Sequence, residues 1–321
     1  MRLLPLLLPL ALTACPDDPE TRTPAPQDSG AAGSPQVAAG PPLHEFLDDV
    51  REARGVLIAA HRGGPTDGFP ENALETLQHG FEEGLRVFEV DVAESQDGVL
   101  YLMHDRSLRR TAGHDGAVAD TDWEVVESLD LRDPDGDPTG FHPPKLAVTL
   151  AWAKERGAIL ELDRKSTTSF RNIMGEVRAA GAENHVLLIT YSDEEAIQVA
   201  KIAPGMMMTA GVRNAEQRTR LEEAGVDMTR VVAWLGTRSV DADAIAYLAG
   251  VEIESAFGTL GRPGRRLDDV YAEDGDASEY QDLVDLGVTL LATDRPYFVA
   301  RELTSDDLAI ELLENGAASQ R

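Results

Sequence analysis

Two acidic pairs, each with members two residues apart, are the first features able to do chemistry. In Phe88-Glu89-Val90-Asp91-Val92 the period of a strand turns Glu89 and Asp91 to one face and the three apolar side chains to the other. Leu160-Glu161-Leu162-Asp163-Arg164-Lys165 repeats the arrangement, with Glu161, Asp163 and Lys165 on one face. If the apolar faces pack outward against helices, the carboxylates point inward, where unpaired negative charge is costly unless a cation sits among them. Hard oxygen ligands converging from different strands suit one divalent cation, Ca2+ or Mg2+, rather than Zn2+, which prefers His and Cys. Ion pairing with Arg62 or Lys165 is the purely structural alternative. His61-Arg62-Gly63-Gly64 and His104 add two imidazoles, the side chains suited to proton transfer near neutral pH. Arg62 and Lys165 could hold an anionic oxygen. Two bases, two cations and a carboxylate-bound metal amount to a phosphoryl-transfer site.

Residues scattered from 61 to 165 need a scaffold that gathers them. Runs rich in strand formers occur at Val56 to Ala60, Arg86 to Val92, Ala158 to Leu162, Val186 to Thr190, Met206 to Ala210, Val231 to Leu235, Val251 to Ser255 and Val288 to Thr293. Helical patterns lie between most of them. They start at Asn72 (with Glu75 three later), Ser192, Asn214 and Ser278, and end at Gly84, Gly157, Gly225 and Gly287. Eight alternations fit an α/β fold of the (β/α)8 barrel type better than a doubly wound sheet, and place the chemistry at the C-terminal mouth of the strands. Asp97-Gly98 between strand formers predicts a β-hairpin after the second strand, in a register that sets Asp91 opposite His104. The acidic stretch Asp120 to Asp137 is an insertion that reads either as a substrate cap or as a solvated loop. Met206-Met207-Met208 reads as a packed strand. His44, His79, His114, His142 and His185 lack metal-ligand spacing.

The chain has 321 residues, 42% apolar and 27% charged, with a formal charge of −28, so a core can be buried and a nucleic-acid-gripping surface is excluded. Its one Cys permits no internal disulfide. Leu3 to Leu12 is too short an apolar run to span a bilayer and suits a secretory leader. Leu12-Thr13-Ala14-Cys15 resembles a bacterial lipoprotein box. The expected organisation is therefore a leader over 1–15 ending at a lipidated Cys15, a disordered Pro- and Gly-rich tether over 16–43, a barrel over 44–304 and a polar tail over 305–321. It implies an exported protein anchored to a membrane by lipid, facing the periplasm or the cell exterior.

His61-Arg62-Gly63, Pro70-Glu71-Asn72, Phe88-Glu89-Val90-Asp91-Val92, Gln96-Asp97-Gly98, His104-Asp105, Leu108-Arg109-Arg110-Thr111 and the closing Thr293-Asp294-Arg295-Pro296 together resemble the glycerophosphodiester phosphodiesterase family. The resemblance implies hydrolysis of a small phosphodiester or lipid-derived substrate to glycerol phosphate and an alcohol through a cyclic phosphate. By the family's pattern His61 and His104 are the acid–base pair, Glu89 and Asp91 are metal ligands, and Arg62 and Lys165 meet the phosphate. The family's third-strand Glu-x-Lys is matched by Asp163-Arg164-Lys165, which makes Asp163 the third ligand, or by Glu161-Leu162-Asp163 if the Lys is lost. Asp105 and Glu71 are plausible orienters. Two departures stand out: Ala73 replaces the Thr of Pro-Glu-Asn-Thr, and Ile253-Glu254-Ser255-Ala256 occupies the place of the family's Trp-Thr-x-Asn. Rival readings are a phospholipase D-like or phosphoinositide-cleaving phosphodiesterase on the same barrel, and a non-catalytic solute-binding lipoprotein.

Overall fold

The structure is a computed structural model that describes residues 41–319 apart from 274 and 277. The leader, Cys15 and the tether up to residue 40 lie outside the described residues. Eight parallel strands form a closed barrel: β1 (Leu57–Ala60), β2 (Val87–Glu94), β4 (Ile159–Arg164), β5 (Val186–Leu188), β6 (Met207–Ala210), β7 (Val231–Trp234), β8 (Glu254–Gly258) and β9 (Leu290–Thr293). Strand β1 pairs with both β2 and β9, which closes the ring, and β3 (Leu100–Leu102) runs antiparallel on the edge of β2. At least one helix follows each parallel strand, from Leu74–Glu82 after β1 to Pro296–Glu302 after β9. This is the (β/α)8 barrel that the alternation predicts.

Strand periodicity divides the core as expected. Ile58, Phe88, Val90, Val92, Leu160 and Leu162 face outward into the layer of helices. Leu57, Val87, Ile159, Leu187, Met207, Val232 and Leu290 fill the lower interior. Helix Leu43–Glu52 plugs the floor with Phe46, Leu47 and Val50, and helix Thr304–Ser319 joins it through Ala309. Each such large apolar side chain stabilises the fold by roughly 1.5–3 kcal/mol. The segment after 304 is thus part of the floor rather than a tail beyond it, and buried Asp306 accepts the Ile58 N–H at 3.3 Å.

Three local expectations need correction. The hairpin turn has three loop residues, not two: Ser95 pairs with Val99, and Gly98 takes the left-handed conformation (φ 89°) that such a loop requires. Asp97 accepts hydrogen bonds from the Ser95 hydroxyl at 2.6 Å and the Trp123 N–H at 2.9 Å, which fixes the longer loop. The register therefore slips by one, so the Met103 N–H donates to the Asp91 carbonyl and His104 lies just past β3.

Second, Asn72 caps no helix. Helix Leu74–Glu82 begins without a side-chain cap, and buried Asn72 uses its amide elsewhere. Third, β8 begins three residues later than expected. Val251 and Ile253 close the preceding helix, with the Ile253 N–H donating to the Leu248 carbonyl, so their apolar character belongs to a helix end. Ile253 and Glu254 consequently sit low on the barrel, where Glu254 pairs with Arg51 at 2.9 Å. Gly258, Thr259 and Leu260 occupy the mouth in place of the expected segment.

The insertion after β2 is not merely a solvated loop. Tyr101, Met103, Leu108, Val118, Trp123, Val126 and Leu131 pack with Ala73 and Ala93 into a small core of their own. It forms a firm platform beside the mouth.

Candidate active site

Parallel pairing of β2 with β4 puts Glu89 beside Glu161 and Asp91 beside Asp163, all four buried. Oxygen atoms of Glu89, Asp91 and Asp163 lie within 4.8 Å of one another. Burial, reinforced by the charges of Asp91 and Asp163, pushes the Glu89 carboxyl well above the usual carboxylate range. Asp91 shifts the other way: burial opposes its ionisation, but Lys165, His104 and the Asn72 amide outweigh it. Lys165 contacts both Asp91 and Asp163, the latter at 2.6 Å. Asp163 Oδ1 is buried without a hydrogen-bond partner. Three converging hard oxygens, one of them unsatisfied, fit a divalent cation. Of the two alignments for the third ligand, Asp163 is the residue in the cluster. Glu161 is one layer deeper, its carboxyl pushed up to about 7 by burial.

The two imidazoles are oriented alike. His61 meets Asp294 through Nδ1 at 2.6 Å, leaving Nε2 4.0 Å from Glu89. His104 meets Asp105 through Nδ1 at 2.8 Å. A carboxylate on Nδ1 holds the ring in one orientation and leaves Nε2 for proton transfer. Each carboxylate is itself anchored by an arginine, Asp294 by Arg266 at 2.8 Å and Asp105 by Arg110 at 2.7 Å. The Arg110 bond holds Asp105 down at about 2. Asp294 also lies below the usual carboxylate range, since its bonds to His61, Gly261 N–H and Arg266 outweigh burial.

Arg62 takes the left-handed conformation (φ 54°, ψ 31°), which costs a non-glycine residue roughly 1–2 kcal/mol. Two hydrogen bonds hold it there: its N–H donates to Glu89 Oε2 at 2.7 Å and its carbonyl accepts from Asn72 N–H at 2.9 Å. Gly63 follows at φ 84°, and a Cβ there would come within 2.6 Å of Leu77 Cδ1. The strained turn thus brings Arg62 over the carboxylates. Its Nη1 pairs with Glu71 at 3.1 Å, while buried Nε lies 4.0 Å from Asp91 Oδ2 without a hydrogen-bond partner, a donor available to an anionic oxygen.

A cavity of about 320 Å³ joins these parts, with His61, His104, Glu89, Asp91, Asp163 and Lys165 on one side and Trp234, Leu260 and Ile189 on the other. A more open cleft of about 730 Å³ runs from His61, Arg62 and Asp294 between the 132–136 loop of the platform and the 260–266 loop. The candidates of the sequence reading from residue 61 to 165 line these two spaces, apart from Asp105, which stands behind His104. The functional residues it missed are Asn72, whose amide donates to Asp91 Oδ2 at 2.7 Å and whose Oδ1 accepts the Asp91 N–H at 2.9 Å, and Asp294. Asn72 carried the signal of the Pro-Glu-Asn motif, and Asp294 that of a carboxylate at the mouth of the last strand.

A model of the glycerophosphoryl diester phosphodiesterase family matches residues 61–165, the stretch from His61 to Lys165. Among curated proteins, a Bacillus subtilis protein named only as uncharacterized is 28% identical over 153 residues (46% of this chain, 63% of that protein). A probable glycerophosphodiester phosphodiesterase 2 of Mycobacterium tuberculosis is 29% identical over 154 residues (48% and 54%). The chain therefore spans about half to three fifths of these relatives' length. The crystal structure of a glycerophosphoryl diester phosphodiesterase from Parabacteroides distasonis superposes with a TM-score of 0.70 at 26% identity, over 84% of this chain and 93% of that one. An Oleispira antarctica phosphodiesterase, solved with the product sn-glycerol-3-phosphate, shares the fold with a TM-score of 0.58 at 19% identity, over 78% and 98%.

Proposed function

Given that the chain belongs to the glycerophosphoryl diester phosphodiesterase family, we propose that it hydrolyses glycerophosphodiesters to glycerol phosphate and an alcohol by metal-dependent two-histidine catalysis. The observation that carries this reading is the convergence of two imidazoles, each oriented by a carboxylate, on the cavity that holds the acidic triad. The glycerophosphoryl group fits the inner cavity and the leaving alcohol fits the open cleft. Arg62 and Lys165 bind nonbridging phosphoryl oxygens, Lys165 turning from the carboxylates toward the anion. One His takes the proton of the neighbouring glycerol hydroxyl, whose oxygen attacks phosphorus. The bond to the leaving oxygen breaks as the other His protonates it, which leaves a cyclic phosphate. Water then opens the ring with the two roles reversed. A Ca2+ or Mg2+ ion held by Glu89, Asp91 and Asp163 supplies neutralising charge to the phosphoryl oxygens when bound. The test is glycerol phosphate release from a panel of glycerophosphodiesters with Ca2+, Mg2+ or chelator. Turnover with a divalent ion that stops with chelator supports the reading, and no turnover of any member refutes it.

The lipid anchor belongs to the same proposal: acylation of Cys15 would hold the enzyme at a membrane facing the periplasm or cell exterior. Cys15→Ser should then move the protein from the membrane to the soluble fraction. Equal membrane recovery of both forms would contradict it.

A further inference from the structure

We propose that Arg110 is a positioning residue that locks the phosphate-binding Arg62 and the proton-transferring His104 into one assembly. The proposal rests on the roles just given to those two residues. The guanidinium of Arg110 donates from Nη1 and Nη2 to the two oxygens of Glu71, both at 2.7 Å, and from Nε to Asp105 Oδ2 at 2.7 Å. Glu71 in turn holds Arg62 Nη1, and Asp105 holds His104 Nδ1 through its other oxygen. The resulting chain, Arg62, Glu71, Arg110, Asp105, His104, ties the turn after β1 to the loop after β3. No backbone hydrogen bond joins residues 61–64 to residues 103–106 among the described residues.

Arg110 is itself held from behind. It sits on the helical turn Arg109–Ala112, whose Thr111 donates to Met103 Sδ at 2.9 Å and accepts the Arg132 N–H at 2.8 Å through its carbonyl. Both contacts belong to the platform, so the insertion sets the position of the clamp. A planar guanidinium meets Glu71 with two parallel hydrogen bonds and Asp105 with a third from Nε, a geometry that the point-like ammonium of Lys does not reproduce. A displacement of about 1 Å in such groups costs up to ~10²-fold in rate. Because Arg62 binds the anion in the ground state whereas His104 acts only during reaction, loss of the clamp should raise KM and lower kcat together.

The experiment compares the full-length wild type with Arg110→Gln, Arg110→Lys and Arg110→Ala. Readouts are kcat, KM, melting temperature and the 15N relaxation of the Arg62 Nε–H and the His104 ring. Arg110→Gln is expected to lower kcat/KM ~10- to 100-fold through both parameters, to leave melting within a few degrees, and to mobilise both side chains. Arg110→Lys should recover little, and methylguanidinium should partly restore Arg110→Ala. Unchanged order at Arg62 and His104, or loss of order at one alone, overturns the clamp, as does full activity in Arg110→Lys. The relaxation readout is independent of turnover. If the order changes as expected but the wild type cleaves no glycerophosphodiester, the functional reading falls and the clamp stands.

Discussion

Replacing Asn72 by Ala isolates the support beneath the acidic triad. Asn72 sits at φ 59° with its side chain buried, donates to Asp91 Oδ2 at 2.7 Å and accepts the Asp91 N–H at 2.9 Å. The substitution removes a hydrogen bond to a charged acceptor, worth about 1.5–3 kcal/mol, and strands a buried backbone donor at about 1–3 kcal/mol. Alanine in the left-handed region adds about 1 kcal/mol. With allowance for relaxation and an invading water, Asn72→Ala should lose about 3–5 kcal/mol of unfolding free energy. Urea unfolding monitored by circular dichroism, in chelator and in excess Ca2+ or Mg2+, is the assay. The ion should recover part of the loss, because it takes over the neutralisation of Asp91, and its affinity for the variant should fall. A loss under 1 kcal/mol with unchanged ion affinity would show that Asn72 does not organise Asp91.

Burial pushes Asp306 up to about 7, so the folded protein keeps a proton that the unfolded chain releases from pH ~4 upward. Its contribution to stability is present at low pH and is lost as pH rises through that window, by up to ~1.4 kcal/mol per unit. Asp306→Asn keeps an acceptor for the Ile58 N–H and should flatten the decline in melting temperature between pH 5 and 8, and an unaltered slope would count against the burial argument. His104→Ala should lower turnover ~10²-fold or more while leaving melting and KM near wild type. A fall in melting temperature with turnover per folded molecule preserved would withdraw its catalytic role. Gly63→Ala should lower kcat/KM by displacing Arg62, since its Cβ meets Leu77 at 2.6 Å and its φ is 84°. Wild-type kinetics from that variant would show that the turn tolerates the shift.

The inward carboxylates were legible in the sequence because strand period alone separates Glu89 and Asp91 from Phe88, Val90 and Val92, and the barrel because eight apolar runs recur with helical patterns between them. What escaped depends on contacts between distant residues. Asn72 looks like a helix cap from its neighbours, yet the carboxylate and backbone N–H of Asp91, 19 residues away, take its amide in place of the helix end. Asp294 joins His61 across 233 residues, a distance that no local pattern spans. The hairpin register failed by one residue because Asp-Gly serves two- and three-residue loops alike, and the Ser95 and Trp123 contacts of Asp97 select the longer one. The docking of the segment after residue 304 onto the floor was hidden by its polar composition, since a single packed edge around Ala309 suffices for it.

Phosphodiester cleavage at the His61–His104 cavity is tested most directly by 31P NMR of a glycerophosphodiester incubated with wild type, His61→Ala and His104→Ala. The diester resonance should give way to that of glycerol phosphate with the wild type and a divalent ion, and should persist with either variant. A diester left intact by the wild type under those conditions, or cleaved by either variant as fast as by the wild type, would contradict it.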